Sequence, residues 1–171
     1  MKQHLTEEEL KCKLNLIIPN SNFIHNRKIK ESNIRSRPDF HCPIIKTLIE
    51  FDGYYHYNNT KTILRDCRNI KEYERLGYKI IRIPYFVQLD DKICKLLFGV
   101  EMDLSNEYPH GFISDKALLP SDFNELGIER FQEDLKKFSI IKEYIVKSLK
   151  DKIEISSKEM VLPKKLYYLV E

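Results

Sequence analysis

Between Ile44 and Ile83 the chain spells out a strand, a helix and a strand, and no other stretch restricts the fold as much. The run Ile44–Phe51 (IIKTLIEF) is β-branched and nearly continuously apolar, the pattern of a central strand. The period then changes: Ile63, Cys67, Ile70 and Tyr73 mark the expected buried face of a helix from Thr60 or Lys61 to Leu76, and Gly77 provides its stop. Tyr78–Ile83 (YKIIRI) returns to a β-branched run, ended by Pro84. Strand, helix and strand in that order imply a parallel pair with a right-handed crossover. The expected fold class is α/β, with a mixed central sheet flanked by helices.

The neighbouring segments extend that unit. Pro38–Cys42 and Ile44–Asp52 read as a hairpin turning near Pro43. Thr6 and Glu9 form a capping-box pattern, and Leu10, Leu14 and Ile17 follow at helical spacing, so a helix is expected over 6–18, stopped by Pro19 and Asn20. Asn22–Asn26 reads as a short strand, 27–37 as a solvated basic loop, 53–60 as a polar loop, and 89–97 as a helix. Residues 100–120, with Tyr108-Pro109-His110-Gly111-Phe112, read as an irregular connection. Ser121 is the expected cap of two or three helices over 122–153. The division is a core over 1–99 and a helical C-terminal extension over 100–171, packed on the core.

Composition narrows the function classes. A net charge of +3 over 171 residues is too small for a histone-like protein, so any nucleic-acid contact must come from local Lys and Arg clusters. Cys12, Cys42, Cys67 and Cys94 form no C-x-x-C, which argues against a zinc knuckle, and a reducing intracellular compartment (cytoplasm, nucleoid or nucleus) fits them best. MKQHLTEEE at the start contains no apolar signal segment, and no run is long enough to span a membrane.

The chemistry concentrates where the strands end. Glu50 and Asp52 alternate along one strand and share a face, with the Phe51 carbonyl between them, while Asp39 can lie opposite on the neighbouring strand. Carboxylates, a carbonyl and waters are a ligand set for Mg²⁺, which can polarise a phosphoryl oxygen and lower the pKa of a bound water. His56 can move a proton, Asp66 can orient it, and Arg65 or Arg68 can neutralise a phosphate. The structural alternative for Glu50 and Asp52 is a salt bridge to Arg65 or Arg68. Tyr54, Tyr55 and Tyr57 can stack on bases or pack on the sheet. Arg27, Lys28, Lys30, Arg35 and Arg37, just before Asp39, can lie along a phosphate backbone.

Arg37–Phe86 resembles the very-short-patch-repair endonucleases and their small relatives in the PD-(D/E)XK nuclease superfamily. The resemblance rests on RPDF (Arg37–Phe40), IEFDGYYH (Ile49–His56), RDCRNI (Arg65–Ile70) and LGYKIIRI (Leu76–Ile83), in matching order. It implies a restriction-endonuclease-like core and Mg²⁺-dependent DNA cleavage, with Mn²⁺ as a substitute. By that analogy Asp39 is the central metal ligand and the Phe51 carbonyl the second. Glu50 and Asp52 take the (D/E)-x-K positions, His56 is the active-site histidine and Asp66 the acid after it. An acid from the N-terminal helix is also implied; Glu7 fits by its spacing to Leu10 and Leu14, Glu9 by its distance from Thr6, and Glu7 is preferred. Two features depart from the pattern. Asp52 stands where the superfamily has lysine, so charge stabilisation is expected from a second metal, His56, Arg65 or Arg68. The repair enzymes' Cys/His zinc site is missing, which argues against mismatch repair and favours relatives with E-x-D-G-x-x-H.

The expected partner is therefore DNA, bound by Arg37, Arg65, Arg68, Tyr54 and Tyr55. A homodimer is compatible with this reading, since cutting both strands takes two sites or two visits. Two other classes compete: a catalytically silent nucleic-acid-binding module on the same fold, and an interaction protein working through the 122–153 helices.

Overall fold

The computed structural model describes residues 5–105 and 110–171. Helix α1 (Glu7–Ile17) precedes a four-stranded sheet of β1 (Ile24–His25), β2 (Phe40–Cys42), β3 (Thr47–Asp52) and β4 (Lys79–Pro84). Helices α2 (Tyr55–Asn58) and α3 (Thr60–Arg75) connect β3 to β4. Helices α4 (Asp91–Phe98), α5 (Glu125–Lys137), α6 (Lys142–Ile155) and α7 (Lys158–Val161) follow. The strands lie in the order β1-β2-β3-β4; the first two pairings are antiparallel and β3–β4 is parallel. The chain is thus mixed α/β. No helix among the described residues is long and apolar enough to cross a membrane.

Local signals explain the elements. Thr6 Oγ1 accepts the Glu9 N–H and Glu9 returns a carboxylate to the Thr6 N–H, so two otherwise orphaned donors at the start of α1 are satisfied. Asn59, Asp90 and Asn124 cap α3, α4 and α5 in the same sense. Gly77 takes φ +78 just past α3, the left-handed turn that lets the chain reverse into β4.

The pleat of β3 divides the interior. Ile49 joins Phe40, Ile81 and Ile83 in the larger core, with Leu10 and Leu14 of α1 and Phe131 of α5. Leu48 turns to the other face, where it packs with Ile29, Tyr73 and Tyr78. The larger core draws residues from both sides of position 100, Phe86 packing against Phe112 and Phe131. Glu50 and Asp52 share the face of Leu48, beneath α3.

Several expectations need correction. Ile44 and Ile45 are exposed in the turn, and β3 begins only at Thr47; the apolar run is longer than the strand because the turn consumes its start. Tyr55–Asn58 is a helical turn rather than loop. On α3 the buried residues are Ile63, Asp66, Asn69 and Tyr73, while Cys67 is exposed. The helix is rotated so that two polar residues turn inward, Asp66 to His56, Arg82 and Arg130, and Asn69 to Ser36 of the 27–37 segment. Asn124, not Ser121, caps α5; Ser121 lies in a 3-10 turn over Pro120–Asp122. The 27–37 segment is pinned rather than freely solvated: Ile29 is buried, Asn33 N–H donates to Glu72 Oε1 (2.7 Å), and Asn69 Nδ2 donates to Ser36 Oγ (2.8 Å). Within the 100–120 connection Tyr108-Pro109 lies outside the described residues, as do the first four residues of the chain.

Candidate active site

Asp39 and Glu50 are crossed by the hairpin. Phe40 pairs with Ile49, which sets Asp39 opposite Glu50 at the end of the antiparallel ladder. Asp39 Oδ2 accepts the Phe51 N–H at 2.7 Å, and Glu50 Oε2 accepts the Asp39 N–H at 3.2 Å. Each carboxylate is therefore aimed by the other strand's backbone. Burial is the main reason both resist ionisation. The Glu50 carboxyl is pushed up to about 8 by burial and then by the Asp39 charge. Asp39 is raised to about 6 by burial, partly offset by the Phe51 N–H, with Glu7 and Asp52 adding to the rise.

Behind this pair lies an ionic network. Asp52, 1% exposed, receives Arg82 Nε at 2.7 Å on Oδ2 and Nη2 at 2.6 Å on Oδ1. Both Asp52 oxygens thus point at a guanidinium from β4, where Arg82 sits in register with Glu50. Asp66 Oδ2 collects three donors: His56 Nδ1 at 2.6 Å, Arg130 Nη1 at 2.9 Å and Arg82 Nη2 at 3.4 Å. Burial alone would raise the Asp66 pKa, but the His56 hydrogen bond, with Arg130 and Arg82, holds it well below the usual carboxylate range. A carboxylate only accepts, so His56 must donate from Nδ1. That fixes the tautomer of the neutral ring and leaves Nε2 with a lone pair. Arg130 Nη1 also donates to the His56 carbonyl at 3.0 Å, fixing the start of α2.

The acid pair and the His56–Asp66 pair open into one cleft of about 710 Å³. Asp39, Glu50, His56 and Asp66 line it, and Arg35, Arg37, Arg65 and Arg68 surround them. Arg65 Nη2 lies 3.7 Å from Asp66 Oδ1; neither Arg65 nor Arg68 bridges Glu50 or Asp52. The cation on Asp52 is Arg82. Of the tyrosines, Tyr57 is fully buried and donates to Asp134 Oδ2 (2.7 Å), Tyr54 packs beside Phe123 and donates to Asp122 Oδ2 (3.1 Å), and Tyr55 is exposed.

Glu7 and Glu9 have different surroundings. Glu9 closes the Thr6 cap, whereas Glu7 Oε1 meets His25 Nε2 at 2.7 Å and is near enough to raise the Asp39 pKa. His25 in turn stacks on Phe40, with ring centroids 4.8 Å apart.

Sequence reasoning missed His25, Arg82 and Arg130. Arg82 had a signal: a lone arginine inside an apolar strand needs a buried partner. Arg130 had none, because a charged residue on an amphipathic helix is ordinarily solvated.

Among the described residues no group of three or more His, Cys, Asp or Glu side chains is arranged to hold a metal ion. The cleft does offer two hard carboxylates whose raised pKa values would be relieved by a cation, and the Phe51 carbonyl, next to Glu50 in the chain, accepts the Gly53 N–H at 3.1 Å. That set suits Mg²⁺, which binds through one or two carboxylates and completes its shell with waters and substrate phosphate. No family model, curated protein or solved structure matches the chain.

Proposed function

We propose that this chain is a metal-dependent DNA endonuclease built on a restriction-endonuclease-like core. The observation that carries the reading is the cleft where a half-buried acid pair (Asp39 and Glu50) and an oriented His–Asp pair (His56 and Asp66) lie within a ring of four arginines. An isolated salt-bridge network needs no such rim.

In this reading Asp39, Glu50 and the Phe51 carbonyl would hold Mg²⁺ or Mn²⁺. When bound, the ion would polarise the phosphoryl oxygen and stabilise the leaving oxygen. The protein's own groups do the rest. His56 Nε2 takes a proton from the attacking water, and Asp66 stabilises the imidazolium that forms. Arg37, Arg65 and Arg68 hold phosphates flanking the scissile bond. Arg82, bound to Asp52 beside Glu50, supplies the cation that the superfamily's lysine would otherwise bring.

Incubation with supercoiled plasmid, with and without Mg²⁺ or Mn²⁺, tests this beside Asp39→Ala. The expected result is metal-dependent nicking or linearisation that Asp39→Ala abolishes. Intact plasmid and intact single-stranded DNA at every metal concentration would overturn it. A catalytically silent nucleic-acid-binding module is the second reading, favoured by the internal neutralisation of Asp52 and Asp66 by Arg82 and Arg130. Salt-sensitive DNA binding without any cleavage would select it.

A further inference from the structure

The basic 27–37 segment does not serve one site. Arg35 and Arg37 line the catalytic cleft, but Arg27, Lys28 and Lys30 line a separate cavity of about 260 Å³, together with Lys46 and His41. One acid, Glu31, shares its wall. Four cations around one carboxylate leave the cavity strongly positive. Ile29, buried against Leu48 and Tyr78 in the middle of Arg27–Glu31, anchors this part of the segment, so these cations are held in place rather than trailing in solvent. Lys46 is held as well, its Nζ 4.8 Å from the centre of the Tyr78 ring.

A second observation points to a ligand. His41 is only 4% exposed, and its Nδ1 is enclosed with no hydrogen-bond partner. A proton on Nδ1 would be buried and unpaired, so the neutral ring carries it on Nε2. That leaves one N–H donor on a residue of the cavity wall, beside four cations. A rigid donor among clustered cations is the chemistry that recognises a phosphate oxygen.

The cavity also lies on the right side of the sheet. His41 pairs with Leu48, two residues before Glu50, so His41 and Glu50 belong to the same sheet face. Both sites therefore lie on the same side of the sheet, where the 27–37 segment lines one with its first residues and the other with its last.

We propose that Arg27, Lys28, Lys30, Lys46 and His41 form a second phosphate site, which holds the DNA backbone away from the scissile bond while the cleft acts on it. This rests on the nuclease reading and assigns the substrate a second point of attachment. Arg27, Lys28, Lys30 and Lys46 are exposed, so their substitution leaves the core intact.

The test is fluorescence anisotropy of a labelled duplex in EDTA across a salt series, on the wild type, on Arg27→Gln/Lys28→Gln/Lys30→Gln, and on His41→Phe. The triple variant should bind more weakly, and its slope of log Kd against log salt should fall by about 2 to 3, near 0.9 for each phosphate that is no longer neutralised. His41→Phe should weaken binding several-fold with the slope unchanged, since a neutral donor releases no counterion. Inorganic phosphate alone should shift the amide resonances of His41 and Lys46, which separates a phosphate site from general attraction to DNA. A triple variant that binds with the wild-type Kd and slope, while the wild type still binds and cuts, overturns the second site alone. A wild type that neither binds nor cuts DNA overturns the nuclease reading and this site with it.

Discussion

Arg82 of β4 grips Asp52 of β3 through two parallel hydrogen bonds, Nε to Oδ2 at 2.7 Å and Nη2 to Oδ1 at 2.6 Å. The pair closes the back of the cleft, and Asp52 is almost wholly enclosed. Removing one partner strands the other's charge. Arg82→Ala should cost about 3–5 kcal/mol in urea unfolding, the usual penalty for breaking a buried ion pair. Arg82→Met with Asp52→Leu should recover most of that loss, because neither charge is then buried. A single variant as stable as the wild type would show that the pair bears no load.

His56 and Asp66 should separate chemistry from stability. His56→Ala should lower the cleavage rate by about 10²–10⁴-fold, the range for a general base. Stability should change less, since Asp66 keeps Arg82 and Arg130. Asp66→Asn should lower both, because Arg130 then loses its carboxylate partner. Single-turnover cleavage and thermal melts on the same preparations decide it; unchanged cleavage by His56→Ala would remove that histidine from the mechanism.

The acid pair predicts a pH dependence of stability in metal-free protein. Folding raises the Asp39 and Asp134 carboxyls to about 6 and Glu50 to about 8. The folded state therefore holds more protons than the unfolded chain between the ordinary carboxylate range and pH 8. Stability should fall as pH rises through that window, by at most about 1.4 kcal/mol per pH unit for each titrating group. Asp66 is shifted the opposite way, so its contribution is lost only as pH falls below the ordinary range. Glu50→Gln should flatten the slope between pH 6 and 8. Mg²⁺ should raise the melting temperature more at pH 8 than at pH 6, because binding needs ionised carboxylates. Melting curves in EDTA and in Mg²⁺ check both; a slope that Glu50→Gln leaves intact would rule out Glu50 as its source.

Gly127 lets α5 approach α2. A Cβ at that position would lie 1.6 Å from the Tyr57 carbonyl oxygen. Gly127→Ala must push the two helices apart, at a cost of about 1–3 kcal/mol or more. Arg130, one turn further along α5, would be drawn from Asp66 and the His56 carbonyl. Cleavage should therefore fall more in Gly127→Ala than in a surface control such as Gln132→Ala, even below the melting temperature. Equal activities would show that the approach of the two helices does not position the site.

Local pattern was enough for the strand–helix–strand unit, because an apolar β-branched run and a 3.6-residue period leave few other ways to bury their side chains. The Thr6–Glu9 cap was equally legible, since capping is decided within four residues. It also located the acids, because alternation along β3 puts Glu50 and Asp52 on one face whatever surrounds them. The tertiary structure decided which charges meet. Arg82 reaches Asp52 through the register of β4, Arg130 reaches Asp66 from α5, and the 27–37 segment lines one cavity with its first residues and the cleft with its last. Those pairings depend on residues far apart in the chain coming together, and a buried charge takes whichever partner the packing brings within reach, so no local pattern could announce them.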